Sequence, residues 1–175
     1  LGMARPRGQD DAVVDIVATV ERAATLVRAL PVARNREIRV RCHGISDETE
    51  VRGDPAQILQ VLINLIANGL EACPPDAGCV ELTVDHHADA VVIAVTDNGI
   101  GMNEETLRHA FDPFFSDKAQ RGLVGTGLGL AVSHAIAERH GGQLLAHSDG
   151  ADCGSTFTLE LPIRVREETL CHVHA

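Results

Sequence analysis

The chain has 175 residues, 45% of them hydrophobic, and a formal net charge of −10. That length supports one domain with a proper core. So acidic a balance excludes a general nucleic-acid or membrane-surface binder, which needs a net or clustered positive field, and any polyanionic ligand must be held by local groups.

The five cysteines are scattered and odd in number, without C-x-x-C spacing, so neither a disulfide framework nor a zinc site is expected. No long apolar run and no signal-peptide pattern occurs, which predicts no membrane contact by this segment and a cytoplasmic setting, with room for an anchor elsewhere in a parent chain.

Residues 1–10, LGMARPRGQD, read as a linker remnant, residues 11–163 as the domain and residues 164–175 as a C-terminal tail. From Val13 the apolar positions Val17, Val20, Ala24 and Val27 recur at helical steps, predicting a helix from Val13 to about Leu30. EIRVRC (37–42) and TEVRG (49–53) follow as strands. Asp54 is a good N-cap with Pro55 at the first helical position and Gln57 where a capping-box partner reaches back, so a second helix runs to about Ala72. CVELTVDHH (79–87) and AVVIAVTD (90–97) predict a hairpin, and NEETLRHAF (103–111) a short helix capped by Asn103. A helix beginning near Leu128 stops at Gly141-Gly142, before QLLAHS (143–148) and STFTLELP (155–162). Paired strands between helices predict an α+β, two-layer α/β sandwich: one mixed, mostly antiparallel sheet with about three main helices on one face.

GLVGTGLGL (122–130) is a glycine-rich loop before a helix, a pattern that suggests bound phosphate. It is not a Rossmann fingerprint, since no strand precedes it, nor a P-loop, since no lysine ends it. In the second helix, Asn64 and Asn68 lie one turn apart on the face opposite the apolar stripe of Ile58, Val61, Leu62, Leu65 and Ile66. TDNGIGM (96–102) puts Asp97 at a strand end, with Gly99 and Gly101 letting the backbone approach a ligand. AFDPFFSDK (110–118) holds three of the four phenylalanines, as a hydrophobic anchor for a mobile lid would.

NLIANGLEA, DNGIGM, FDPFFSDK and GTGLGL, in that order, resemble the N box, first glycine box, F box and second glycine box of the histidine-kinase catalytic domain, the ATP-binding module of the Bergerat fold shared with gyrase and MutL-type ATPases. The wording is most similar to the nitrogen-regulation subgroup of sensor kinases. The resemblance implies ATP and Mg²⁺ as cofactors. It implies that Asn68 coordinates the metal with Asn64 close by, that Asp97 accepts a hydrogen bond from the adenine amino group, and that Ser155 or Thr156 completes the adenine pocket. Gly125, Thr126, Gly127, Leu128, Gly129 and Leu130 then form the end of a flexible lid over the triphosphate, and Lys118, the one lysine in the chain, is placed to reach the phosphates. Glu71 stands where many histidine kinases are basic, which points to the metal's waters and away from the phosphates.

Gyrase-type relatives carry a glutamate general base where this chain has Asn64, and an amide cannot take that proton, so efficient hydrolysis is not expected. None of the histidines has the H-E/D-x-x-x-P context of a phospho-acceptor helix; His134 and His140 fall on the last helix, and His43, His86, His87, His109 and His147 on surface or strand positions. The resemblance therefore implies a catalytic half that acts on a histidine of a separate dimerisation domain of the same parent, for relay to a response-regulator receiver domain. A serine kinase of the anti-sigma-factor type and a non-catalytic, nucleotide-gated interaction module are the alternatives.

Overall fold

The structure is a computed structural model in which residues 12–44, 50–87, 89–116 and 126–163 are described. It begins with β1 (Ala12–Val14), paired antiparallel with β3 (Val51–Gly53) in a two-stranded ribbon apart from the main sheet. Asp15 ends β1 by accepting the Ala18 N–H at 2.8 Å, which caps α1 (Ile16–Arg28). Val13, expected to open that helix, instead pairs with Arg52 and is largely exposed. The buried stripe of α1 is Ile16, Val20, Ala23, Ala24 and Val27.

In α2 (Pro55–Ala72) the Asp54 carboxylate accepts the Ala56 and Gln57 amides at 2.9 and 3.4 Å. The expected capping box is not closed: Gln57 Nε2 donates to Asp54 Oδ2 at 2.9 Å. The Asp54 amide donates to His140 Nε2 at 3.0 Å, so a histidine from the far end of the chain takes the place Gln57 would fill. The apolar stripe of α2 is the centre of the core, with Ile58, Val61, Leu62, Leu65, Ile66 and Leu70 buried.

Five strands form the main sheet, in the order β2-β4-β5-β7-β6: β2 (Glu37–Cys42), β4 (Cys79–His87), β5 (Ala90–Asp97), β6 (Gln143–His147) and β7 (Ser155–Pro162). Only β2 and β4 pair parallel. The pleat turns Val80, Leu82, Val84, Val91, Ile93, Val95, Phe157, Leu159 and Leu161 to one face, where they meet α1, α2 and α4 (Gly129–Arg139) in a single core. At about 1.5–3 kcal/mol for each fully buried aliphatic side chain, this stripe-on-pleat packing is the main stabilising term. The β5–β7 register places Asp97 beside Ser155, so two strand ends meet at one point below α2.

Asn103 caps α3 (Glu104–Arg108), accepting the Thr106 amide at 2.7 Å; the helix ends at His109, before the turns around Asp112 and Pro113. No helix among the described residues is long and apolar enough to cross a membrane.

Candidate functional site

A cleft of about 310 Å³ opens between α2, the end of β5 and the start of α4. That volume is at the small end of ligand-binding sites. From α2 come Asn64, Ala67, Asn68, Glu71 and Ala72, which share one helix face by their three- and four-residue spacing; the two alanines leave its polar members room. Asp97, Gly101, Thr126, Gly127, Gly129, Leu130 and Ser155 also line it. Lys118 and Gly125, and most of the expected lid, lie outside the described residues.

Asp97 is 5% exposed. Burial raises its carboxyl above the usual aspartate range, against the opposing pull of the Gly99 amide, which donates to Oδ1 at 2.8 Å, and of the Ser155 backbone. Ser155 is itself buried at the cleft wall, whereas the pleat turns Thr156 to the opposite face, where its hydroxyl pairs with Thr96 at 3.0 Å. Of the two neighbours, then, Ser155 faces the cleft and Thr156 does not.

The glycines of the 96–102 loop are demanded by the chain itself. A Cβ at Gly99 would lie 2.7 Å from the Ala72 carbonyl, and one at Gly101, where φ is 66°, would overlap the Gly150 oxygen. The loop is thereby pressed between the end of α2 and the β6–β7 connection.

Two residues that the sequence reading missed hold it there. Ser148 Oγ accepts the Met102 amide at 2.9 Å and donates to the Gly154 carbonyl at 2.7 Å. Asn98 Oδ1 accepts the Cys79 amide at 2.8 Å and the Cys73 thiol at 3.2 Å, while Nδ2 donates to the Ala77 carbonyl at 2.9 Å. Burial, with the nearby Asp97 charge, pushes the Cys73 thiol up, consistent with its role as a neutral donor. Nothing local in the sequence marks these partners; Phe157, by contrast, lies two residues beyond Ser155 on one face of β7 and was predictable from the pleat.

The three phenylalanines of 110–118 have three different environments. Phe111 packs against His134 of α4, with ring centroids 5.0 Å apart and the planes tilted by 35°, and meets Phe157 edge-on at 6.4 Å. Phe115 lines the cleft and lies 5.6 Å from the His109 ring. Phe114 is 76% exposed in a left-handed conformation, φ 67°, its amide bonded to the Gly127 carbonyl at 2.9 Å. Of the three, Phe111 packs against the core and Phe115 lines the cleft.

Leu128, the N-cap of α4, supplies no side-chain acceptor, so the first amides of that helix meet the cleft without a cap. Asn64 is turned toward α4, its Nδ2 donating to Ser133 Oγ at 3.0 Å. Among the described residues no three His, Cys, Asp or Glu side chains gather as a metal site. The oxygen donors on the cleft face of α2 beyond Asn64 are one amide and one carboxylate, Asn68 and Glu71. Such a sparse set fits a magnesium ion that takes most of its oxygens from phosphate and water.

Residues 53–165 match the family described as histidine kinase-, DNA gyrase B-, and HSP90-like ATPase. The sensor histidine kinase ZraS of Escherichia coli strain K12 is 40% identical over 134 residues, covering 76% of this chain and 27% of that protein. Sporulation kinase B of Bacillus subtilis strain 168 is 30% identical over 162 residues, covering 93% of this chain and 36% of its own. The chain thus spans about a third or less of the length of these relatives. Among solved structures, the catalytic domain of histidine kinase ThkA superposes with a TM-score of 0.74 at 27% identity, covering 87% of this chain and 95% of that one. Full-length ShkA in complex with AMPPNP gives a TM-score of 0.75 at 25% identity, covering 93% of this chain and 33% of that one.

Proposed function

Since the chain belongs to the histidine kinase-, DNA gyrase B-, and HSP90-like ATPase family and is an ATP-binding catalytic domain of the sensor histidine kinase kind, we propose that its cleft binds Mg-ATP and presents the γ-phosphate to a histidine on a separate phosphoacceptor domain. The observation that carries this reading is the pairing, in one cleft, of a buried carboxylate at a strand end with two asparagines of α2 and an uncapped helix start.

Asp97 accepts the adenine amino group, and guanine would turn a carbonyl oxygen against the same carboxylate. The first amides of α4, near Gly129 and Leu130, face the phosphates with the positive end of the helix dipole. Asn68 and Glu71 hold magnesium or its waters, and the ion, when bound, neutralises phosphate charge. In the transfer, the bond from the γ-phosphorus to the bridging oxygen breaks, a phosphorus–nitrogen bond forms to the incoming imidazole, the imidazole gives up its proton and ADP leaves. Asn64 cannot deprotonate water, which favours transfer over hydrolysis.

The test mixes this chain with a histidine-bearing helical dimerisation domain and γ-labelled ATP. Acid-labile phosphate on the added domain, with none on this chain, is expected. Label on this chain's own histidines would overturn the reading, and tight nucleotide binding without transfer to a matched partner would favour a nucleotide-gated interaction module.

A further inference from the structure

Ser133 lies on the buried face of α4, 2% exposed, and is one of few buried polar side chains among the described residues. Its hydroxyl accepts the Asn64 Nδ2 hydrogen at 3.0 Å, and these two residues are 69 positions apart in sequence. One helical turn before Ser133 stands Gly129, where a Cβ would overlap the Asn64 carboxamide oxygen and come within 3.1 Å of its carbon. The Asn64 amide is therefore held between two α4 positions four residues apart, one offering an acceptor and the other offering space. Ser133 gives the amide a hydrogen bond across this contact, so that without it only the space at Gly129 remains.

We propose that Ser133 is a positioning residue for the triphosphate end of the cleft: by fixing Asn64, it sets the start of α4, Gly127 to Leu130, against the Asn64–Asn68 face of α2. This rests on the Mg-ATP reading above and adds a residue outside the four boxes to it. The two ends of the cleft are supported separately. Asp97, Gly101 and Ser155 are held by Gly99, Ser148 and the β5–β7 pairing, through hydrogen bonds that do not involve Ser133. Asn64 and Gly129 are held across the α2–α4 contact. Loss of the Ser133 hydroxyl frees the Asn64 amide to rotate and leaves the adenine end in place.

The experiment measures the affinities of the whole chain and of its Ser133→Ala variant for Mg-ATP, Mg-ADP and adenosine. In the wild type, Asp97-dependent binding of all three is the precondition; its absence would overturn the Mg-ATP reading and this inference together. In Ser133→Ala the ATP affinity is expected to fall about tenfold, the scale of one buried hydrogen bond left unmade, with adenosine unchanged and the preference for ATP over ADP reduced. Equal loss for all three ligands would mark Ser133 as merely structural and overturn the inference, as would an unaltered ATP-to-ADP ratio. Asn64→Ala supplies the second check: in that background Ser133→Ala should change nothing further, and an additive effect would show that Ser133 does not act through Asn64.

Discussion

Replacing Asp97 by asparagine should push ligand affinity and fold stability in opposite directions. The amide keeps an oxygen for the Gly99 N–H, now 2.8 Å from Oδ1, so that contact of the loop has no cause to change. Its nitrogen, however, presents a donor where the adenine amino group also donates. A hydrogen bond to a charged group contributes roughly 1.5–3 kcal/mol, which at about 1.4 kcal/mol per decade corresponds to roughly a 10- to 100-fold loss of Mg-ATP affinity. Stability should rise, because the folded protein holds this carboxyl above its usual range of 3.8 through burial, and a neutral isostere removes that cost.

The raised carboxyl also fixes the sign of the pH dependence. Folded protein binds more protons at Asp97 than unfolded protein does, so this group stabilises the fold at low pH, and that contribution is lost as pH rises from the ordinary value of 3.8 through the raised one. Nucleotide binding needs the ionised form and follows the reverse course, weakening as pH falls through the raised value. Calorimetric titration with Mg-ATP and Mg-GTP, with urea unfolding from below the ordinary value of 3.8 up to neutral pH, reads both quantities for wild type and Asp97→Asn. The stability of wild type relative to the variant should fall as pH rises through that window, because the contributions of all other groups cancel in the difference. Unchanged ATP affinity, or a variant less stable than wild type at neutral pH, would refute the reasoning.

Three further perturbations probe the supports of the cleft. His140→Ala leaves the Asp54 amide without its 3.0 Å acceptor at the start of α2; a loss of about 2 kcal/mol is expected, seen as a melting temperature lower by about 4–8 °C, with His140→Gln recovering part of it. Gly101→Ala combines a left-handed φ of 66° with overlap of the Gly150 oxygen; urea unfolding should show a loss of about 3 kcal/mol or more. For the aromatics, Phe111→Ala should cost on the order of 2 kcal/mol, below the 3–5 of a fully buried phenylalanine. Phe114→Gly should be more stable than Phe114→Ala by about 1 kcal/mol, because the exposed residue sits in the left-handed region; chemical denaturation of the three variants orders them.

What was legible in the sequence is what local periodicity can carry. Alternation in 79–87 and 90–97 marks two strands with one buried face, and Asp54-Pro55 marks a helix start, because pleat, stripe and cap each act within a few residues. Of the β1–β3 ribbon, β3 falls within the strand expected at 49–53, but β1 was not legible: three residues are too few for a period, and Val13 joins a strand only because Arg52 is there to pair with it. The capping box failed for the same kind of reason. Gln57 is correctly spaced, but its competitor for the Asp54 amide arrives from 86 residues away. Within the site, Asn64, Asn68, Glu71, Asp97, Gly101, Thr126, Gly127, Gly129, Leu130 and Ser155 of the expected set line the cleft and Gly99 and Leu128 do not, while Ser148, Asn98 and Ser133 occupy positions whose partners only the fold brings close.

The contacts of α4 show why support and chemistry separate in this way. Its end meets the start of α2 through His140 and Asp54, and its middle meets the middle of α2 through Ser133 and Asn64, so the two helices run antiparallel and are joined by side chains at two levels. His140 Nδ1 donates to the Ile136 carbonyl at 2.8 Å, which leaves Nε2 as the acceptor for the Asp54 amide and ties the ring to both helices. The opposite end of α4 has no such tie: Leu128 gives no side-chain cap, and Gly129 has no side chain to pack. A helix anchored at its end and its middle but open at its start can present unpaired amides to an anion and still keep its register. Loss of the His140 contact should therefore lower stability more than phosphate affinity, and loss of the Ser133 contact should do the reverse.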